Sequence, residues 1–142
     1  LDRPWALGWT TRGVGVLTGD EAAAWGGPVA RAAGLDADAR SQAPSYATLG
    51  FAPVVHHAGD TRDRWRQRLA EAAQAVELAA RAGVATFEPG EPLEGPAPPP
   101  PDDAAQRLAG MLVGAEWGDA LTILASIDPD LTAAATTSAA SP

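Results

Sequence analysis

His56 and His57 are the two histidines of the chain, and Asp60 and Asp63 follow within a few residues. Imidazoles and carboxylates are the groups that ligate metals or relay protons. Adjacent residues point in different directions on a helix or a strand, however, and two neighbouring imidazoles rarely share an ion without a third ligand. The plain alternative is a polar loop before a helix start. Glu116 and Asp119 form a second candidate, three apart among apolar neighbours. Burial of either without a partner would raise its pKa and open a route for protons. Pairing with an arginine of another helix would instead lock the packing. A small enzyme built on His56, His57 and Glu116 requires those side chains to converge within hydrogen-bond reach.

A third group is a mixed charged block. Asp60, Arg64, Arg68 and Glu71 succeed one another at about one helical turn, which suggests a buried ion-pair ladder, whereas Arg62 and Arg66 read as solvated partners at a helix start. Much other chemistry is excluded. With no cysteine among 142 residues, zinc-thiolate sites, iron-sulfur ligation and thiol nucleophiles are absent. Gly13 and Gly15 lack the third glycine and the helix context of a phosphate-binding loop, and Ser41, Ser45 and Ser126 lack a nucleophile elbow. A net charge of −8 offers no basic surface for nucleic acid or anionic lipid.

Several elements must position these residues. Asp20 reads as the N-cap of a short helix over Glu21–Trp25, closed by Gly26-Gly27-Pro28, and a second short helix runs from Val29 to Ala33 before Gly34. Val14–Leu17 is ambiguous between a strand and an extended entry. Residues 35–58 read as a long connection. Asp60 opens the clearest helix, which ends near Ala82 with Gly83 as its stop. On it Trp65, Leu69, Ala72, Val76 and Ala79 recur at helical spacing, which predicts an amphipathic helix packed along that face. Seven prolines over 87–101 predict a semi-rigid linker. Asp102 and Asp103 then suit an N-cap for a helix to about Ile127, apolar nearly all round. Residues 132–142 lack the apolar content to order. The expected architecture is mainly α, with an N-terminal helical segment over 1–86, the linker, a buried helix of the same domain over 102–131 and a tail. Met111–Ile127 is interrupted by Glu116 and Asp119 and is too short for a membrane span. The start at Leu1 suggests a chain cut from a longer protein.

The order of certain residues carries a resemblance. Arg12-Gly-Val-Gly-Val16, Glu21-Ala-Ala-Ala-Trp-Gly26, Gly27-Pro28, Arg31-Ala-Ala-Gly34, Asp36, Arg40, Pro44 and Tyr46 lead into Gly59-Asp60, Asp63-Arg64-Trp65, Arg68, Glu71 and Gln74. Gly114, Asp119 and Ser126-Ile-Asp-Pro129 complete the series. This series resembles the hydrogenase-like large subunit of respiratory complex I and the large subunits of energy-converting nickel-iron hydrogenases, and about two thirds of the chain takes part. Ala33 stands where the family carries a serine, and the stretch before Gly27-Pro28 is shorter than in the family.

The resemblance implies two long antiparallel helices ringed by glycine-punctuated pieces, as in the helical core of a hydrogenase-type large subunit. It implies a part within a quinone-reducing or hydrogenase-type complex, cytoplasmic and held at the inner face of the membrane by other subunits. The departures imply more. The cysteine pairs that bind nickel and iron are missing, as is a counterpart of the family's quinone-facing His and Tyr region. The expectation is therefore a chain that binds no cofactor itself, with quinone and iron-sulfur clusters in partner subunits. The alternative is a stand-alone helical scaffold that binds a hydrophobic small molecule or a protein.

Overall fold

The computed structural model describes residues 11–83 and 103–127. Among these the protein is mainly α, with six α-helices, one 3-10 helix and no strand. In chain order they are α1 (Gly19–Ala23), α2 (Gly27–Ala32), the 3-10 helix Ala39–Gln42, α3 (Pro44–Thr48), α4 (Thr61–Ala82), α5 (Ala104–Leu112) and α6 (Trp117–Ile127). The proline-rich linker and the C-terminal tail lie outside the described residues.

Local chemistry explains the helix ends. The cap of α1 is Thr18, not Asp20: its hydroxyl accepts from the Glu21 amide while the Glu21 carboxylate accepts from the Thr18 amide at 2.8 Å. This reciprocal box satisfies two amides that the first turn leaves unpaired. The long helix α4 starts where Asp60 accepts from the Asp63 amide at 2.8 Å, and it ends at Gly83, as its sequence predicts. Val14–Leu17 forms no strand, because the chain bends at Val14 and Gly15, where Gly15 has φ of 57°. Its backbone is laced to the loop before α4, with the Leu17 amide donating to the Gly59 carbonyl at 3.0 Å and the Thr61 amide to the Val14 carbonyl at 2.9 Å. The connection over 35–58 contains the 3-10 helix and α3, which the absence of a sustained period had concealed.

Two expectations about packing are corrected. The apolar run after Asp103 is two helices rather than one, broken at Val113–Glu116, where Gly114 has φ of 77°. A continuous helix would hold Leu108 and Ile123 roughly 22 Å apart. In the fold both belong to one buried cluster with Ile127, because α6 turns back against α5. Asp103 precedes α5 without capping it, since its carboxylate is held by Arg107 at 2.7 Å.

The second correction concerns α4. The stripe expected to be packed is the exposed one: Trp65 is 41% accessible, Leu69 69% and Val76 72%. The buried residues are Thr61, Asp63, Arg64, Gln67 and Leu78. Against this mostly polar side lie α2 and α6. Helical periodicity marks a face but cannot say which way it looks when a polar stripe recurs at the same period. Here the polar face turns inward because unpaired backbone acceptors of neighbouring segments await its donors. Two apolar clusters complete the core, one of Leu17, Ala22 and Val29 and one of Leu108, Ile123 and Ile127. Trp25 and Met111 touch both.

Candidate functional site

The polar face of α4 and the segments around it hold the charged and imidazole groups singled out by sequence. Asp60 is buried at the helix start, where one carboxylate oxygen caps α4 and the other accepts from the Gly13 amide at 2.7 Å. The carboxylate of Asp63 accepts from the Ala58 amide at 2.9 Å and pairs with Arg66 at 3.2 Å. Its burial pushes the pKa up, but the amide bond, Arg66 and the nearby His56 together bring it below the ordinary value. Both aspartates thus tie loops to the helix that follows them.

Arg64 is the centre of the arrangement and is 1% accessible. Nη1 donates to the carbonyls of Gly15 at 2.9 Å and Gly59 at 2.7 Å, Nη2 to the Thr61 hydroxyl at 2.9 Å, and Nε to the Ser126 hydroxyl at 2.9 Å. A planar fork of donors can meet four acceptors in this way, and an ammonium cannot. Burial lowers its pKa to about 10, with Asp60 opposing that shift and Arg68 adding to it. The group therefore stays charged at neutral pH. It is a fixed positive bolt among the entry segment, the pre-helix loop and α6, rather than a proton carrier. Arg68 extends the junction by donating to the carbonyls of Ser126 and Ile127 at the last turn of α6. A cation there also opposes the negative end of that helix.

The ladder expected from spacing is replaced by a network that crosses between elements. Glu71 pairs with Arg31 of α2 at 2.7 Å rather than with Arg68. Arg31 also donates to the Ala37 carbonyl at 3.1 Å and faces Asp38 at 3.4 Å. Asp38 in turn takes both Nε and Nη2 of Arg40, at 2.9 and 2.6 Å. Burial raises the pKa of Asp38, but the bonds from Arg40 and the charges of Arg31 and Arg40 outweigh it and hold the group below the usual range. Arg40 covers the Phe51 ring at 4.7 Å, and Phe51 meets Tyr46 edge-on.

Gln67 links this network to the histidine. Its Nε2 donates to the Val54 carbonyl and to Glu71, both at 2.6 Å, so its oxygen faces His56 Nδ1 at 2.8 Å. An amide so oriented requires a hydrogen on His56 Nδ1. His57 is exposed and turned elsewhere, beside Gly34.

The candidate groups do not converge. Glu116 is exposed in the turn before α6 and Asp119 is half-buried in its first turn, so neither is a buried carboxylate. No arginine pairs with either among the described residues, and no hydrogen bond or ion pair joins Glu116 to His56 or His57 there. Among the described residues no three His, Asp or Glu side chains are grouped to hold a metal ion, and no helix is long and apolar enough to cross a membrane. Reading for chemistry missed Arg31, Asp38, Gln67 and Ser126. Gln67 carried a usable signal, since it stands one helical turn from Arg64 and from Glu71. Ser126 did not, because its role depends on a contact across 62 positions.

Comparison with known proteins finds relatives of this chain. The sequence profile described as the respiratory-chain NADH dehydrogenase 49 kDa subunit matches residues 8–98. An NADH-quinone oxidoreductase subunit from Clostridium beijerinckii is 38% identical over 72 residues, which cover 48% of this chain and 20% of the relative. The NADH-quinone oxidoreductase subunit of the same kind from Salinispora tropica is 44% identical over 73 residues, 49% of this chain and 19% of its own. Its counterpart from Herpetosiphon aurantiacus is 41% identical over 76 residues, 51% of this chain and 18% of its own. The matches thus span about one fifth of each relative's length. No solved structure matches the chain.

Proposed function

Because the chain belongs to the family of the respiratory-chain NADH dehydrogenase 49 kDa subunit, we propose that it is a metal-free, hydrogenase-like scaffold piece of a large subunit. On this reading it works inside a quinone-reducing or hydrogenase-type oxidoreductase complex. It binds no cofactor itself, leaves iron-sulfur clusters and quinone to partner subunits, and lies at the cytoplasmic face of the membrane through those partners.

One observation carries the reading. The buried Arg64 has its donors taken up by carbonyls and hydroxyls of the entry segment, the pre-helix loop, α4 and α6. Charge in this protein is thus used to hold segments in register. A buried cation held by four hydrogen bonds stays rigid while chemistry takes place elsewhere. Purification of the tagged chain from its native host, followed by metal and quinone analysis of the isolate, tests the proposal. Cluster-binding and membrane subunits should accompany it. Isolation of the chain with no redox partner would overturn it.

A shallow apolar cavity of about 230 Å³ supports the second reading, a stand-alone scaffold for a hydrophobic small molecule. It lies between α3 and the C-terminal half of α4, lined by Tyr46, Leu49, Ala75, Leu78, Ala79 and Ala82 with Arg40 at its edge. An apolar fluorescent dye should bind there and be expelled by Ala82→Trp. Binding unaffected by that substitution would remove this reading.

A further inference from the structure

The uncovered stripe of α4 is two-sided in its chemistry. From the N-terminal end it reads Trp65, Leu69, Ala72, Val76 and Ala79, all exposed, at spacings of four, three, four and three. That is the period of a helix–helix seam, with side chains large at one end and small at the other. In a parallel pair of such helices Trp65 would meet Trp65 and Ala79 would meet Ala79. In an antiparallel pair centred on Ala72, Trp65 lies over Ala79 of the other chain, Leu69 over Val76, and the two Ala72 residues face each other. The bulky Trp65 then meets the small Ala79 at each end, and the central alanines let the backbones approach closely.

Charge complementarity selects the same arrangement. Arg66 and Glu77 flank the stripe on one side, at about 100° and 120° around the helix from Trp65. In the antiparallel pair equivalent flanks meet, which brings Arg66 of each chain beside Glu77 of the other. Both residues are more than half exposed and, among the described residues, pair along their own helix with Asp63 and Arg81, contacts that can exchange for partners on a second chain. Arg81 is drawn toward the Leu49 carbonyl at 2.9 Å. We infer that this face of α4 is an interface between two copies of the chain, docked antiparallel about Ala72. The inference does not rest on the proposed role in a redox complex, since it concerns the purified chain alone.

The seam from Trp65 to Ala79 is roughly 21 Å long, which is short beside a standard interface, so association depends on concentration. Analytical ultracentrifugation of the full chain between roughly 10 μM and 1 mM should show a monomer–dimer equilibrium. Leu69→Asp should weaken it at least about ten-fold with the helical circular dichroism unchanged, because Leu69 lies outside the core. Arg66→Glu and Glu77→Arg should each weaken it about three-fold, and the two together should restore it. Orientation is read by oxidation of single cysteines in this cysteine-free chain. Ala72→Cys should cross-link to itself and Ala79→Cys should not. A monomer at all concentrations, whether because another part of the chain covers the stripe or because nothing does, overturns the inference. So does self-cross-linking through Ala79→Cys, or a dimer indifferent to Leu69→Asp.

Discussion

Arg64 is the residue on which most separate segments depend. Its truncation to alanine leaves the Gly15 carbonyl without this donor, leaves the Gly59 carbonyl with the Leu17 amide alone, strips two hydroxyls of their bonds to it and opens a cavity beside Ile123. Losing the buried charged partner of such a group costs about 3–5 kcal/mol, against a total of about 5–15 kcal/mol for a domain. Urea titration should therefore find Arg64→Ala at the edge of unfolding. Arg64→Lys keeps the charge but not the fork and should fall between, at about 2 kcal/mol lost. An Arg64→Lys variant as stable as the unsubstituted protein would mean that the charge, not the geometry of the donors, matters. Gly59 has an analogous role in the backbone. It has φ of 63°, and a side-chain carbon added there would collide with the Leu17 carbonyl oxygen. Gly59→Ala should lose about 3 kcal/mol by thermal denaturation, combining left-handed strain with overpacking. The sequence marks both positions through the Gly59-Asp60 and Asp63-Arg64 pairs of the family pattern. It could not reveal the carbonyls they serve, which come from residues far along the chain.

At the scale of elements, helix existence was legible and helix orientation was not. The bounds of α4 follow from Asp60, Gly83 and an unbroken run of good helix formers between them. Its inward face does not follow, because the apolar stripe and the polar stripe repeat with the same period. The break between α5 and α6 was signalled by Gly114 but masked by apolar residues on either side. The cap of α1 was displaced by two positions because Asp20 and Thr18 are both good caps, and only Thr18 has Glu21 three residues ahead. Thr18→Ala should cost about 1 kcal/mol in a denaturant titration. Asp20→Ala should leave stability within about 0.5 kcal/mol.

For the whole molecule, the charged network makes stability depend on acid. Asp38 and Asp63 both have folded pKa values held below the ordinary carboxylate value. A depressed carboxylate contributes stability above its unfolded pKa and loses it as pH falls through the folded one. The urea midpoint should therefore decline as pH drops below about 4, and Asp38→Asn should make that decline shallower. A decline of the same depth in the variant would place the acid-sensitive groups elsewhere. Arg64 has the opposite consequence, since its lowered pKa means that the cost of burying its charge is relieved only as pH rises past about 10. By itself the sequence determined the mainly helical class, the bounds of the long helix, the exclusion of thiolate chemistry and, through the order of its residues, the family. Those properties are local or written in residue order. Only the tertiary structure decided which face of α4 is buried, that Glu71 pairs with Arg31, that Glu116 and Asp119 are not buried acids, and that Arg64 reaches Ser126. Each depends on which distant backbone groups lack a partner once the chain is compact. A buried donor goes to the acceptor left open, and residue spacing along one helix does not record where that acceptor lies.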